Sequence, residues 1–228
     1  LNFGENLLSK NNQEKAVTFI SENGYREERS WRQLNLNTSK ILKFLKKLNI
    51  KKGDRVAAYM PNTIETVEAF IATTSLGCIW SSCSPDFGSK GVIERFSQIN
   101  PNVLFIADQY FYNGKKIEVL KRLSAILKSI PSIKSVVITN YPGKKFIKNK
   151  NKFKKVNLFK WNRLMETNDE KINFKRFDFE TELAILYSSG TTGKPKCICH
   201  RSGGVLIQHM KEHQLHCNIK ENDNVFYF

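Results

Sequence analysis

Long apolar runs and paired cysteines are missing from this sequence of 228 residues. No apolar stretch approaches the roughly 20 residues that a helix needs to span a bilayer, and the first residues lack the charged, apolar and small-residue regions of a secretory signal. The five cysteines are odd in number and lie in apolar or helical surroundings, which argues against a disulfide framework. We therefore expect no membrane partner and a reducing, cytoplasmic location.

Acidic residues are also scarce, with 21 Asp and Glu against 37 Lys and Arg, so the formal net charge is +16. The segment from Lys144 to Arg176 alone contributes +9, from twelve basic and three acidic residues. Such a segment is typical of a solvated loop rich in Lys and Asn, although a basic patch can also bind nucleic acid or an anionic membrane. Because no helix-turn-helix, RRM or KH signature accompanies the charge, we expect no nucleic-acid partner.

Strand-like and helix-like segments alternate along the chain, and 40% of the residues are apolar. After a hairpin over 17–29, the predicted strands cover 55–60, 78–80, 103–107, 135–139 and 183–187, and residues 225–228 are predicted to begin another. The predicted helices cover 30–49, 62–76, 89–99, 116–129 and 202–216, the first opening with a capping box at Ser30 and Gln33. This alternation predicts an α/β fold, a mainly parallel sheet with helices on both faces. Ligands of such sheets bind beyond the carboxyl ends of the strands.

A loop rich in hydroxyl groups and glycine follows the strand over 183–187. Residues 187–196 read Tyr-Ser-Ser-Gly-Thr-Thr-Gly-Lys-Pro-Lys, with four hydroxyl side chains and two glycines from Ser188 to Gly193. Hydroxyl and backbone N–H donors can surround a phosphate, the glycines let the backbone approach it, and the lysines add positive charge. The spacing is not that of a Walker A loop, in which four residues separate the glycines. The loop is therefore predicted to bind phosphate in another way.

This decapeptide resembles the signature of the adenylate-forming superfamily, the ATP-dependent AMP-binding enzymes. The resemblance implies that the loop holds the β- and γ-phosphates of ATP, which enters with Mg²⁺, while a substrate carboxylate attacks the α-phosphorus. Lys194 falls at a variable position of the signature. The implied phosphate contacts are Ser188, Ser189, Gly190, Thr191, Thr192, Gly193, Lys194 and Lys196.

Further segments resemble the acetoacetate–CoA ligase branch of this superfamily. They are residues 1–8, 53–62, 112–116, 215–217 and, above all, 79–88, which read Ile-Trp-Ser-Ser-Cys-Ser-Pro-Asp-Phe-Gly. The resemblance implies that acetoacetate is activated to acetoacetyl-AMP and then transferred to coenzyme A. A ligase for another short-chain acid is the alternative within the superfamily. An inactive nucleotide- or nucleic-acid-binding remnant is the alternative outside it.

The same resemblance implies contacts with coenzyme A and with the acyl group. In related acetyl-CoA synthetases, the loop that corresponds to residues 112–116 contacts the nucleotide phosphates of coenzyme A. A Gly-containing turn that carries two lysines between a predicted strand and a predicted helix suits a phosphorylated ligand, and an ordinary exposed turn is the alternative. Trp80 is a candidate for the acyl pocket, although a strand tryptophan usually belongs to the core. The candidate CoA contacts are Tyr112, Asn113, Gly114 and Lys115.

The four histidines lie within 17 residues, between 200 and 216. Three of them, His209, His213 and His216, have the spacing that places side chains on one face of a helix, so zinc ligation is an alternative. Cys197 and Cys199 do not form a C-x-x-C pair, and no convincing fourth ligand accompanies the histidines. We predict no metal site here.

The chain is expected to be a piece of a longer protein, because it begins with Leu1 rather than Met and ends inside the predicted strand at Phe228. The resemblance then implies that residues 1–228 are an incomplete large N-terminal AMP-binding domain, without the small C-terminal domain. The catalytic lysine that the superfamily carries in that small domain has no counterpart here, so the catalytic residue is unknown. We expect the piece alone not to complete catalysis and to need the remainder of its own chain.

Overall fold

The fold is described from a computed structural model for residues 1–146, 153, 155–168, 171–188 and 193–226. Its helices are α1 (Phe3–Leu7), α2 (Trp31–Lys47), α3 (Ile64–Ser75), α4 (Ser89–Ile99), α5 (Leu123–Ser129), α6 (Trp161–Met165) and α7 (Ser202–Lys211). Its strands are β1 (Lys15–Ile20), β2 (Arg26–Ser30), β3 (Arg55–Tyr59), β4 (Ile79–Cys83), β5 (Val103–Ala107), β6 (Tyr110–Tyr112), β7 (Lys115–Ile117), β8 (Ser135–Thr139), β9 (Asn157–Lys160), β10 (Glu182–Ser188) and β11 (Lys196–Arg201). A 3₁₀ turn, Val119–Arg122, precedes α5, and a π turn, Glu212–His216, continues α7.

Parallel strands make up most of the central sheet. Within the described ranges its order is β11-β10-β4-β3-β5-β8-β9, and every neighbouring pair is parallel except β10 and β11. The strands predicted over 103–107 and 135–139 coincide with β5 and β8. The predicted mainly parallel α/β sheet is confirmed.

Side chains of β3 alternate between two apolar clusters. Val56 and Ala58 pack into the cluster beneath α2, α3 and α6, whereas Ala57 and Tyr59 pack into the cluster beneath α4 and α5. All four side chains are fully buried. Because successive strand residues point to opposite faces, this pattern confirms the prediction that helices cover both faces of the sheet.

The first two long helices begin differently from one another. Helix α2 begins at the predicted capping box: Gln33 N–H donates to Ser30 Oγ, and Ser30 N–H donates to Gln33 Oε1, at 3.2 and 2.9 Å. Helix α3 does not begin at Asn62 as predicted. Its N-cap is Thr63, whose backbone N–H donates to the carbonyl of Pro61 at 2.8 Å. This tight turn after proline delays the helix.

The helix predicted over 116–129 is only partly a helix. Its first residues belong to the antiparallel hairpin β6–β7, the 3₁₀ turn follows, and α5 supplies the α-helical part. The Asn113–Gly114 pair explains the difference, because an Asn-Gly pair strongly favours a two-residue hairpin turn. The prediction that residues 112–116 connect a strand to a helix was therefore wrong.

Two other sheet assignments also differ from expectation. Strand β4 continues to Cys83, through residues predicted to be loop, because it pairs with β3 as far as Tyr59. Strand β11 was not predicted, although Cys197–Ile198–Cys199 lies in it and pairs with β10. Residues 225–226 form no strand, and the last two residues of that predicted strand lie outside the described residues.

The basic segment contributes structure to the sheet. Its described residues include β9, which pairs with β8, and α6, which packs beneath the same face as α2. The prediction of a plain solvated loop was therefore wrong for this part, because Trp161 and Leu164 are buried. Residues 147–152, 154 and 169–170 of the segment lie outside the described residues.

The helices that the structure describes are short, and the longest of them has one buried face. The longest, α2, has 17 residues and buries Leu34, Ile41 and Leu45 while it exposes basic residues. None of the helices that the structure describes is both long and apolar enough to cross a membrane.

A buried carboxylate lies where the β1–β2 hairpin meets α2 and α3. Glu68 is fully buried, and its Oε1 accepts a hydrogen bond from Asn37 Nδ2 at 2.8 Å and lies 3.4 Å from Arg29 Nε. Among the described residues, its Oε2 has no hydrogen-bond partner, and the same holds for Oε2 of the neighbouring Glu65. Burial therefore raises the pKa of Glu68 to about 8 and also raises the pKa of Glu65.

We predict that Glu68→Gln flattens the dependence of stability on pH. The folded protein holds a proton on Glu68 up to about pH 8, whereas the unfolded chain releases it near pH 4.5. The free energy of unfolding therefore falls as the pH rises between these values, by about 1.4 kcal/mol for each unit of pKa difference. The amide has no proton to lose. The free energy of unfolding of Glu68→Gln, relative to that of the unmodified protein, should therefore be a few kcal/mol greater at pH 8 than at pH 5.

Urea unfolding at pH 5, 6.5 and 8 measures this difference. Glu28→Gln is the matched control, because Glu28 is an exposed carboxylate of the same hairpin whose pKa is lowered, so its titration falls below this window. Parallel pH profiles for Glu68→Gln and the unmodified protein would contradict the prediction.

Candidate functional site

Two loops leave the central sheet at one edge. Strands β3, β4 and β10 are parallel, so their carboxyl ends lie together. Residues 84–88 follow β4 and lead into α4, and residues 189–195 follow β10 and return in β11. The loop predicted to bind phosphate thus leaves the carboxyl end of a parallel strand, as expected.

The predicted phosphate loop, residues 188–196, connects an antiparallel pair of strands, β10 and β11. Ser188 and Lys196 are paired residues at its two ends, Gly193 has a positive φ of 99°, and Lys194 and Lys196 are both exposed. The Gln98 amide of α4 donates to the carbonyl of Pro195 at 2.9 Å. The other predicted phosphate contacts, Ser189, Gly190, Thr191 and Thr192, lie outside the described residues.

Strand β10 is joined to β4 by side chains as well as by its backbone. The Ser81 hydroxyl is buried and lies 2.9 Å from the carbonyl of Ile185 and 3.1 Å from the hydroxyl of Tyr187. Burial raises the pKa of Tyr187, so its phenol stays protonated at neutral pH. The strand that carries the phosphate loop is therefore held in register with the strand that carries residues 84–88.

A guanidinium group connects the two loops. The Arg95 Cζ lies 4.1 Å from the ring centre of Phe87 and 5.8 Å from that of Tyr187. Cations attract the faces of aromatic rings at such distances. Arg95 on α4 thus bridges the loop after β4 and the strand before the phosphate loop.

The loop after β4 is clamped from the other side. Arg122 Nη1 donates to the carbonyls of Pro85 and Phe87 at 2.8 and 2.7 Å, and also to the Tyr59 hydroxyl. The Tyr59 hydroxyl in turn donates to the Phe87 carbonyl. Tyr59 is fully buried at the carboxyl end of β3, so this network fixes the loop to the sheet.

The candidate CoA contacts lie on the β6–β7 hairpin, which follows the carboxyl end of β5. Asn113 and Gly114 both have positive φ, 49° and 69°, so glycine suits the second position of this turn. Their backbone N–H groups donate to the two carboxylate oxygens of Glu22, at 2.5 and 3.1 Å. Tyr112 and Lys115 flank the turn as paired residues, and both are exposed.

Trp80 lies in the core rather than at the loop edge. Its side chain is buried, and its ring meets that of Phe70 edge to face, with centres 5.8 Å apart. It packs on the face of the sheet that α2 and α3 cover. Its assignment to an acyl pocket stays a prediction from resemblance.

Two of the histidines lie side by side, His209 in α7 and His213 in the π turn that continues it. The rings of His209 and His213 stack with centres 5.9 Å apart. The pKa of His209 is lowered, mainly by burial and to a smaller extent by the charge of the nearby His213. In the part of the chain that the structure describes, no three His, Cys, Asp or Glu side chains are grouped so that they could hold a metal ion. The absence of a metal site stays a prediction.

A sequence model of one enzyme family matches nearly all of the chain. The family is described as "AMP-binding enzyme", and the match covers residues 7–228. The chain belongs to the AMP-binding enzyme family. The phosphate loop and the loop after β4 are therefore parts of an AMP-binding fold.

Named members of this family resemble the whole chain. The acetoacetyl-coenzyme A synthetase of Rhizobium meliloti (strain 1021) is 41% identical over 228 residues, which are 100% of this chain and 34% of that protein. Malonamoyl-CoA synthetase vrtB of Penicillium aethiopicum is 35% identical over 99% of this chain and 32% of that protein. The solved structure of acetoacetyl-CoA synthetase from Streptomyces lividans covers 98% of this chain with 31% identity and a TM-score of 0.88. The chain spans about a third of the length of these relatives.

The structure adds residues that the sequence interpretation missed. Tyr59, Arg95 and Arg122 hold the loop after β4, Gln98 holds the end of the phosphate loop, and Glu22 holds the hairpin turn. The sequence contains one weak indication for Tyr59, because it places a hydroxyl group at the end of a strand whose preceding residues are apolar. The other four each have a partner that is distant in sequence, which for Arg95 is Tyr187, so no local pattern marks these contacts.

We predict that Tyr59→Phe lowers the free energy of unfolding by about 1–2 kcal/mol, because it removes a buried hydroxyl that both donates and accepts a hydrogen bond. Urea unfolding measures the loss. Tyr112→Phe is the control, since it makes the same chemical change at an exposed side chain whose hydroxyl bonds to no described residue. Equal losses for the two variants would show that the Tyr59 hydroxyl does not stabilise the loop.

Proposed function

We propose that the protein containing this chain is an acetoacetate–CoA ligase that forms AMP. The observation that carries this proposal is the 41% identity over the whole chain with an acetoacetyl-coenzyme A synthetase, supported by the TM-score of 0.88 with a second one. The substrates are acetoacetate, ATP and coenzyme A, and the compartment is the cytoplasm. Residues 1–228 form part of the large AMP-binding domain and act with the remainder of the longer chain.

The reaction has two steps. In the first, a carboxylate oxygen of acetoacetate attacks the α-phosphorus of ATP, the bond to pyrophosphate breaks, and acetoacetyl-AMP forms. In the second, the CoA thiol, after losing its proton, attacks the acyl carbon and AMP leaves. Activation is needed because a free carboxylate has no good leaving group, whereas the mixed anhydride has AMP.

The described part of the phosphate loop fits a polyphosphate. Lys194 and Lys196 are exposed cations at the edge where parallel strands end, and Gly193 adopts the positive φ that opens the backbone to a close approach. Fixed cations of this kind stabilise negative charge that redistributes as pyrophosphate leaves. Mg²⁺ is expected to arrive with ATP, because proteins commonly hold it through substrate phosphates and one or two carboxylates.

The rigid frame beneath the loop supports the same role. Ser81 and Arg95 fix the strand that leads into the loop, and Gln98 fixes its last turn. Positioning of bound reactants is a large part of rate enhancement in such reactions. The frame therefore serves to hold ATP against the carboxylate.

A ligase for another short-chain acid is the second candidate. The relative named malonamoyl-CoA synthetase favours it, since its identity of 35% is not far below that of the acetoacetyl-CoA synthetase. Pyrophosphate exchange by the full-length gene product separates the two candidates. We expect exchange with acetoacetate to be fastest when acetoacetate, malonamate and acetate are compared at equal concentration, and a faster reaction with either of the others would reassign the substrate.

We predict that Lys196→Ala in the full-length gene product lowers acetoacetate-driven pyrophosphate exchange by about 10²–10³-fold. Lys196 is an exposed residue, so the free energy of unfolding should change by no more than about 0.5 kcal/mol. Exchange assays and urea unfolding test the two halves of this prediction.

The control is Lys128→Ala. Lys128 is exposed in the last turn of α5, and the chain runs from there to the amino end of β8, at the opposite edge of the sheet. Both variants remove one positive charge, but only Lys196 lies in the phosphate loop. An unchanged exchange rate in Lys196→Ala would remove this residue from the phosphate site. A large loss of stability would instead make Lys196 a structural residue.

A further inference from the structure

The turn assigned to coenzyme A already holds an anion of the protein itself. The N–H groups of Asn113 and Gly114 point to the same carboxylate, and each donates to a different oxygen of Glu22, at 2.5 and 3.1 Å. Adjacent backbone N–H groups in turns of this kind form anion-binding concavities. A carboxylate bound through two oxygens uses the same donors that two oxygens of a phosphate would use.

The positive charge beside this turn exceeds what Glu22 neutralises. Lys115 directly follows the turn, is exposed and forms no ion pair with any described residue. Lys116 lies 3.7 Å from Glu118, which also pairs with Lys121. The turn therefore suits a ligand with more negative charge than one carboxylate.

The hairpin that carries Glu22 does not depend on this contact for its position. The ring of Phe19 meets that of Tyr141 edge to face at 6.3 Å, and the ring of Tyr25 lies against Gly143, where a side chain would not fit. Strands β1 and β2 also pair along their length. Glu22 itself is exposed, at the tip of the hairpin.

An exposed contact of this kind is easily exchanged. Ion pairs and charged hydrogen bonds at the surface contribute little to stability because water competes for both partners. Neither Asn113 nor Gly114 is buried. The carboxylate can therefore leave the turn at small cost while the hairpin stays in place.

We propose that Glu22 is an intramolecular anion that occupies the Asn113–Gly114 turn and competes with a phosphate group of coenzyme A. This proposal rests on the proposed function, since it takes coenzyme A as the ligand of the turn. Binding of the phosphate requires the Glu22 side chain to swing away, so the apparent affinity equals the intrinsic affinity multiplied by the fraction of open turns. Glu22 thus sets the concentration of coenzyme A at which the turn fills.

The test compares Glu22→Gln with Glu28→Gln in the full-length gene product. Both variants remove one negative charge from the same hairpin, but Glu28 pairs with Lys15 and Arg26 and does not contact the turn. Equilibrium binding is measured with coenzyme A and with dephospho-CoA, which lacks one phosphate. Urea unfolding of each variant reports any change in stability.

Glu22→Gln should bind coenzyme A about three- to tenfold more tightly, which corresponds to a turn that is open for about a third to a tenth of the time in the unmodified protein. Glu28→Gln should bind as the unmodified protein does. The gain in affinity should be smaller for dephospho-CoA if the phosphate that it lacks is the group that competes with Glu22. The gain should be the same for both ligands if the diphosphate of coenzyme A competes with Glu22 instead. Equal or weaker binding of coenzyme A by Glu22→Gln would overturn the proposal.

A separate measurement distinguishes this proposal from the proposed function. Thioester formation from acetoacetate, ATP and coenzyme A is assayed with the unmodified protein. Thioester formation together with unchanged binding by Glu22→Gln would leave the function standing and make Glu22 only a tie between two hairpins. Tighter binding by Glu22→Gln without thioester formation would support the anion competition and reject the ligase.

Discussion

Helices cover both faces of the parallel sheet, and the rest of the structure depends on this double burial. All of β5 and residues 56–59 of β3 are buried, because one cluster of side chains fills each face of the sheet. Polar and charged groups can then reach solvent only at the ends of the strands. Because the strands are parallel, the loops at their carboxyl ends are collected at one edge, and the candidate site lies at that edge.

The loops at this edge are held by long side chains that arrive from elsewhere. Arg122 binds two carbonyls of the loop after β4, and Arg95 lies near two aromatic rings, Phe87 of that loop and Tyr187 of β10. A planar guanidinium group suits both tasks, because it offers several donors in fixed directions and a flat face for rings. These contacts order polar loops that have no apolar core of their own.

Charge at the same edge is arranged for anions. Exposed lysines flank the phosphate loop, and the β6–β7 turn presents backbone donors beside another lysine. The contact between Glu22 and that turn demonstrates that a carboxylate fits these donors. Some of the lysines that give the sequence its positive charge therefore lie where phosphates are proposed to bind.

Local chemistry in the sequence was sufficient for the parallel strands β3, β4, β5, β8 and β10 and for the position of the predicted phosphate loop, but not for β9 and β11. A short run of β-branched and other apolar residues such as Val103–Ala107 is typical of a strand covered on both faces, and the Ser30–Gln33 capping box satisfies backbone donors within four residues. Such signals are complete within a short segment. The resemblance to the family was visible in the decapeptide at 187–196 for the same reason, because the signature consists of consecutive residues.

Only the tertiary structure decided how these segments meet. Strand β11 exists because β10 offers it a partner, and the Asn113–Gly114 turn binds Glu22 of a hairpin about ninety residues earlier in the chain. The Tyr59–Arg122 network likewise joins residues that are 63 positions apart. Pairing energies of this kind depend on distances in space rather than on spacing along the chain, and for that reason the sequence did not predict which residues pair.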